Sequence, residues 1–173
     1  GMDRPDAAIR PNQILAVSLP FSPLSAERAR SVVDVVEREL LIPQGLRTLA
    51  CGHPAYIGRF AGSERERAAA YHCGTAWPWL LGSFATAYRR VHGDSPASRA
   101  RVRAILDAVD EQFHDYGLGH IAEVVAGDPP HEPAGCFAQA WSAGELLRLI
   151  GLLGDRKPAG VDRKSTRLNS SHT

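Results

Sequence analysis

One carboxylate stands out as a group that could do chemistry. In GHIAEVVAG, Glu123 is flanked by Ile121, Val124 and Val125, and partial burial among such neighbours would raise its pKa toward the strength of a useful general base. Asp128 and Glu132 follow within a few residues as competitors for the role. From spacing alone the simpler account is a capping or ion-paired surface glutamate. Glycoside hydrolysis would need a pair of carboxylates, and the residues by themselves do not say which partner would serve.

The same carboxylate belongs to one of four segments that gather polar and aromatic groups at helix ends. They are RPNQ (10–13), YHCGTAWPW (71–79), GLGHIAEVVAGDPPHEPAG (117–135) and CFAQAWS (136–142). A sugar ring offers apolar C–H faces and a fringe of hydroxyls, so its site needs aromatic platforms beside Asn, Gln, His and Arg. That is the inventory of these segments. For Trp77, Trp79 and Trp141 taken singly, a place in the core with a bonded indole N–H is as good an account. Other chemistries fit less well. His120, His131 and Cys136 match no compact zinc spacing, and the adjacent His72 and Cys73 are poorly placed to act as a thiol-imidazole pair. Arg99, Arg101 and Arg103 read as a solvated helix face. Neither a phosphate-cradling glycine loop nor a nucleophile elbow is present. No metal and no cofactor is expected.

Composition narrows the partner. The chain has 173 residues, 44% hydrophobic and 23% charged, enough for one domain with its own core. Twenty basic against nineteen acidic side chains leave a formal charge of +1, so no large field draws nucleic acid or an anionic membrane. Three unclustered cysteines, Cys51, Cys73 and Cys136, suit a reducing cytoplasm better than a disulfide framework. The N-terminus lacks the pattern of a signal peptide, and apolar stretches such as LLRLIGLLG are too short to span a bilayer.

Helical periodicity dominates the elements that must position these groups. Ser25 caps a helix in which Ala29, Val32, Val33, Val36 and Leu40 recur on one face, stopped by Pro43 and Gly45. A second helix is expected from about Trp77 to His92, with Pro78 in its first turn and Gly93 after its end. A third opens at Ser95 or Ser98, carries Val102, Ile105, Leu106, Val109 and Phe113, and closes at Gly117. A fourth covers about Gly135 to Leu153, and a short helix at Asn12 to Leu19 precedes them all. The two long connections, 43–75 and 117–134, hold the unusual residues, as functional loops tend to. The last segment, DRKSTRLNSSH from Asp162 to His172, closely resembles the translation of a sequencing adapter. Residues 162–173 are therefore set aside as an artefactual or disordered tail, leaving 1–161 as the domain.

Four motifs taken in order, RPNQILAVSLP, VVDVVERELL followed by GLRTLA, YHCGTAWPWLLG, and AEVVAGDPPHEPAGCFAQAWS, closely resemble the C-terminal catalytic domain of bacterial glycogen debranching enzymes of the amylo-α-1,6-glucosidase family, from about Arg10 to Leu149. The resemblance implies an all-α chain forming part of an (α/α)6 barrel, with a funnel-shaped site built from inter-helix loops. It implies inverting hydrolysis of α-1,6-linked glucosyl stubs of glycogen or limit dextrin. Glu123 matches the family's general base. Asn12, Gln13, Arg47, Tyr71, His72, Trp77, Trp79, Gln139 and Trp141 match positions around the funnel that would hold the sugar. Of the paired tryptophans, Trp79, inside the helix, is the one expected in the core.

Three departures qualify the resemblance. Cys73 stands where a polar or small residue is common. Val124 and Ala126 replace an Ile and an Asp, so any role of that second carboxylate is lost or passes to Asp128. The family's general acid lies upstream of RPNQ, so the C-terminal half of a barrel, lacking its acid and exposing apolar helix faces, is the expectation. Two alternatives remain: another (α/α)6 glycosidase acting on trehalose, sucrose or a polysaccharide, and a non-catalytic helical module that binds glycans.

Overall fold

The computed structural model describes residues 6–154; the segment 162–173 lies outside them. A 3-10 turn (Pro11–Ile14) runs straight into α1 (Leu15–Ser18). Then come α2 (Ala26–Glu39), α3 (Glu64–Ala70), α4 (Leu80–His92), α5 (Pro96–Asp115) and α6 (Ala140–Leu153). Five very short strands are interleaved with them: β1 (Leu41–Ile42), β2 (Gly45–Arg47), β3 (Ala76–Trp77), β4 (Val124–Val125) and β5 (Pro133–Ala134).

The helices start where capping chemistry allows. Ser25 accepts the Arg28 amide at 3.4 Å to open α2, and Ser95 accepts the Ser98 amide at 3.1 Å to open α5. Helix α4 ends on Gly93, whose φ of 71° suits a residue without a Cβ. Helix α4 is also the centre of the molecule. Leu80, Leu81, Phe84, Ala85 and Ala87 are buried on it, and α1, α2, α5 and α6 all pack against it. Its partners each contribute one apolar face: Val17 from α1, Val33 and Val36 from α2, Val109 from α5 and Leu146 from α6. Full burial of one such side chain is worth about 1.5–3 kcal/mol, so this cluster dominates the stability of the fold. A second cluster, Ala85, Val102, Leu149 and Leu153, ties α4, α5 and α6 together.

The strands form one antiparallel sheet in the order β1-β2-β3-β4-β5. Leu41 faces Leu46, Leu46 faces Trp77, Ala76 faces Val125, and Val124 faces Ala134. The all-α expectation is thus corrected to a mainly helical chain with a small sheet. Strands of two or three residues are too short to display alternation. Two helix starts also move: Trp77 is a strand residue, so α4 begins at Leu80, and α6 begins at Ala140 instead of near Gly135. The sheet matters because it clips together the three loops that carry the unusual side chains. Among the described residues, no helix is long and apolar enough to cross a membrane.

Candidate active site

The segment YHCGTAWPW is held at both ends and in the middle. Ahead of it, α3 forms through a capping box: Ser63 accepts the Glu66 amide at 3.4 Å, and the Glu66 carboxylate accepts the Ser63 amide at 2.7 Å. Tyr71 closes that helix, donating its N–H to Arg67 at 3.0 Å. The chain then turns, and Thr48 braces the turn by accepting the Gly74 amide at 2.9 Å and donating its hydroxyl to Thr75 O at 2.8 Å. Arg10 adds a guanidinium bond to His72 O at 2.8 Å. Trp77 follows in β3, its indole N–H donating to Tyr71 O at 3.2 Å.

These constraints set a chain of rings. Tyr71 meets Trp77 edge-on with centroids 4.7 Å apart, and His72 stacks parallel to Trp77 at 5.7 Å. From the other side α6 contributes Trp141, which stacks on Trp79 at 5.4 Å and meets Trp77 edge-on at 5.9 Å. Together His72, Trp77, Trp79 and Trp141, with Asn12 and Thr48, line a cleft of about 200 Å³. Trp141 is half exposed at its mouth, while Trp77 forms its floor and is only 5% exposed. The expectation for the tryptophan pair is therefore reversed. Trp77 is the core residue, because it lies in a central strand. Trp79 precedes α4 at the N-cap position and is only partly buried.

Glu123 does not line this cleft but is joined to its ring cluster through Tyr71. Each of its oxygens has a donor: the Tyr71 hydroxyl reaches Oε1 at 2.5 Å and the Cys136 amide reaches Oε2 at 2.9 Å. The Glu123 amide in turn donates to Cys136 O at 2.8 Å, so the backbone of the two segments is paired there. Burial, followed by the bond to the carboxylate, pushes the Tyr71 hydroxyl up to about 12, and the phenol stays a proton donor throughout the physiological range. Gly135 makes this arrangement possible. Its φ is +72°, and a Cβ there would stand 2.6 Å from Glu123 Oε2.

The other predicted side chains have different surroundings. Gln13 donates to Arg10 O at 3.0 Å within its own turn. Arg47 donates to Gly127 O at 2.9 Å, and Gln139 lines a separate cleft of about 270 Å³ with His120 and Ile121. None of the three lines the aromatic cleft. Of the competing carboxylates, Asp128 accepts the Tyr56 hydroxyl at 2.9 Å and packs over Gly58, whereas Glu132 is exposed. Burial, with help from Asp128, pushes Tyr56 up to about 12 as well. A larger cleft, about 450 Å³ between α5 and α6, is lined by aliphatic residues such as Leu106, Leu147 and Ile150 with Arg103, Asp107 and Asp110. Among the described residues, no aromatic side chain and no predicted site residue lines it. Among the described residues, no three His, Cys, Asp or Glu side chains converge as metal ligands would.

A sequence model of the amylo-alpha-1,6-glucosidase family matches residues 1–148. The chain belongs to the amylo-alpha-1,6-glucosidase family. The match takes in Glu123, all three tryptophans and every other predicted site residue, and bears out the resemblance seen in the four motifs. The lineage is that of a glycosidase acting on glycans, in keeping with an aromatic cleft fringed by Asn12 and His72. The Tyr71–Glu123 pair escaped sequence reasoning, since 52 residues separate the partners. The supporting Thr48 escaped it too, as nothing in its local sequence marks it. For α3 the signal was present in S-E-R-E, a capping-box pattern at 63–66.

Proposed function

We propose that this chain supplies the base side of an inverting α-1,6-glucosidase that removes glucosyl branch stubs from glycogen or limit dextrin in the cytoplasm. The observation that carries the reading is the contact of Glu123, through Tyr71, with the wall of an aromatic cleft in a chain of this family. In that cleft Trp79 and Trp141 stack against the sugar's C–H face, and Asn12 and His72 meet its hydroxyls. Glu123 takes a proton from water as the water attacks the anomeric carbon. The glycosidic oxygen leaves with a proton from a carboxylic acid on the opposite face, roughly 6.5–9.5 Å from the base. Asp128 is already committed to Tyr56, so the acid is assigned to the part of the (α/α)6 barrel that precedes RPNQ in the family. On this reading the isolated chain binds sugar weakly and releases no glucose.

Glycan binding without turnover is the second reading. It draws on Glu123 lying behind Tyr71 instead of lining the cleft itself. Glucose release from a phosphorylase limit dextrin, measured for the full-length enzyme and its Glu123→Gln variant side by side, separates the two. Loss of a general base is expected to lower the rate by about 10²–10⁴. A barely affected variant would remove Glu123 from the chemistry, and an inactive parent would remove the dextrin as substrate.

A further inference from the structure

We propose that Tyr71 is a positioning residue for Glu123 and not a contact for the sugar: its hydroxyl donates to Oε1 and locks the carboxylate's orientation. The inference rests on Glu123 being the base. A phenol has one proton to donate, and at 2.5 Å from Oε1 that proton is committed. With the Cys136 amide on Oε2 at 2.9 Å, rotation of the carboxylate about its last side-chain bond would break both hydrogen bonds at once. Each oxygen keeps spare lone-pair capacity for a water, so the clamp orients the base without saturating it.

Tyr71 is itself unable to move away. Its amide is tied to Arg67, its carbonyl takes the Trp77 indole, and its ring is walled by Phe60 at 5.8 Å, His72 at 4.8 Å and Trp77 at 4.7 Å. These ties set the hydroxyl's position from the α3 terminus and β3. Preorganisation of a reacting group by rigid elements is where such a residue acts, through kcat and not through affinity.

The tests separate this role from sugar contact and from the base reading beneath it. In the full-length enzyme, Tyr71→Phe should lower kcat by about tenfold or more, as expected for losing a hydrogen bond to a charged group, with KM within about twofold of the parent. A raised KM with kcat retained would make Tyr71 a sugar contact and overturn the proposal. An independent readout needs no activity: the tyrosine ring carbons of this chain, labelled with carbon-13, are followed by NMR through alkaline titration. In Glu123→Gln the Tyr71 titration should fall part-way from about 12 toward the ordinary tyrosine range, burial accounting for the remainder. An unchanged titration would mean that the bond does not exist in solution. Should the titration move while Glu123→Gln keeps its glucose release, the base reading fails and the bond is reduced to a structural contact, which also ends the positioning role.

Discussion

The wall built by residues 71–79 and the groove between α5 and α6 are organised by different forces. In the wall, Arg10, Thr48, Arg67 and Glu123 all fix the same nine-residue segment, and Trp77 bonds Tyr71 within it, by hydrogen bonds of 2.5–3.2 Å. In the groove, aliphatic side chains from two helices face each other across a cleft of about 450 Å³, and Leu147 is 69% exposed. Hydrogen bonds are directional and dispersion contacts are not. The first region can therefore hold a carboxylate and the Trp77 indole in fixed relation, while the second fixes only the distance between helices. The larger cavity is not the better site, because among the described residues no aromatic platform lines it, and the C–H faces of a sugar need one.

The largest effect that would break this contrast lies at the wall's floor. Trp77 is 5% exposed, packs within the main core and shares its indole proton with Tyr71 O. Trp77→Ala should cost about 3–5 kcal/mol in denaturant unfolding. Trp141 belongs to the same ring cluster but is 51% exposed, and Trp141→Ala should cost about 1 kcal/mol or less while weakening sugar binding measured by tryptophan fluorescence. Equal costs for the two would contradict the assignment of one to the core and the other to the cleft mouth.

A smaller effect sharpens the same region. Gly135→Ala places a Cβ at φ +72° and 2.6 Å from Glu123 Oε2. The left-handed backbone costs about 1 kcal/mol or more for a residue with a side chain, and the crowding must turn the Glu123 carboxylate away from the Cys136 amide. We expect a loss of about 1–3 kcal/mol by denaturant unfolding, together with a shift of the Cys136 amide resonance. If the variant is as stable as the parent and the amide signal stays in place, the carboxylate does not sit against this turn.

How far these features were legible in the sequence follows from the range of the interactions involved. Helices α2, α4, α5 and α6 are long enough for a periodic face to appear, and their caps at Ser25, Ser95 and Gly93 are local signals. The sheet was invisible because β3 contributes two residues, Ala76 and Trp77, which read equally well as the first turn of a helix ahead of Leu80. That one ambiguity also inverted the roles of Trp77 and Trp79. The segments that carry the site were legible by residue type, and the aromatic cleft did gather His72, Trp77, Trp79, Trp141 and Asn12. Gln13, Arg47 and Gln139 were assigned to the sugar from the resemblance, yet Gln13 is held within its own turn, and the surroundings of Arg47 and Gln139 depend on segments meeting over longer separations. Arg47 meets Gly127 across 80 residues, a contact that no local pattern announces.

The smallest expected effect tests the groove. Leu147 lies on α6, exposed and facing the space beside Asp107 and Asp110. Leu and Lys have nearly equal helix propensities, so Leu147→Lys changes neither the helix nor a buried contact, and it places a cation near two carboxylates. Its cost in unfolding free energy should stay within about 0.5 kcal/mol. The same substitution removes an exposed apolar side chain from the rim of an apolar cleft, and self-association measured by sedimentation should fall. A cost of several kcal/mol would mean that Leu147 is packed against something in solution. The groove would then be closed, and it would resemble the wall in being fixed by its contacts on every side.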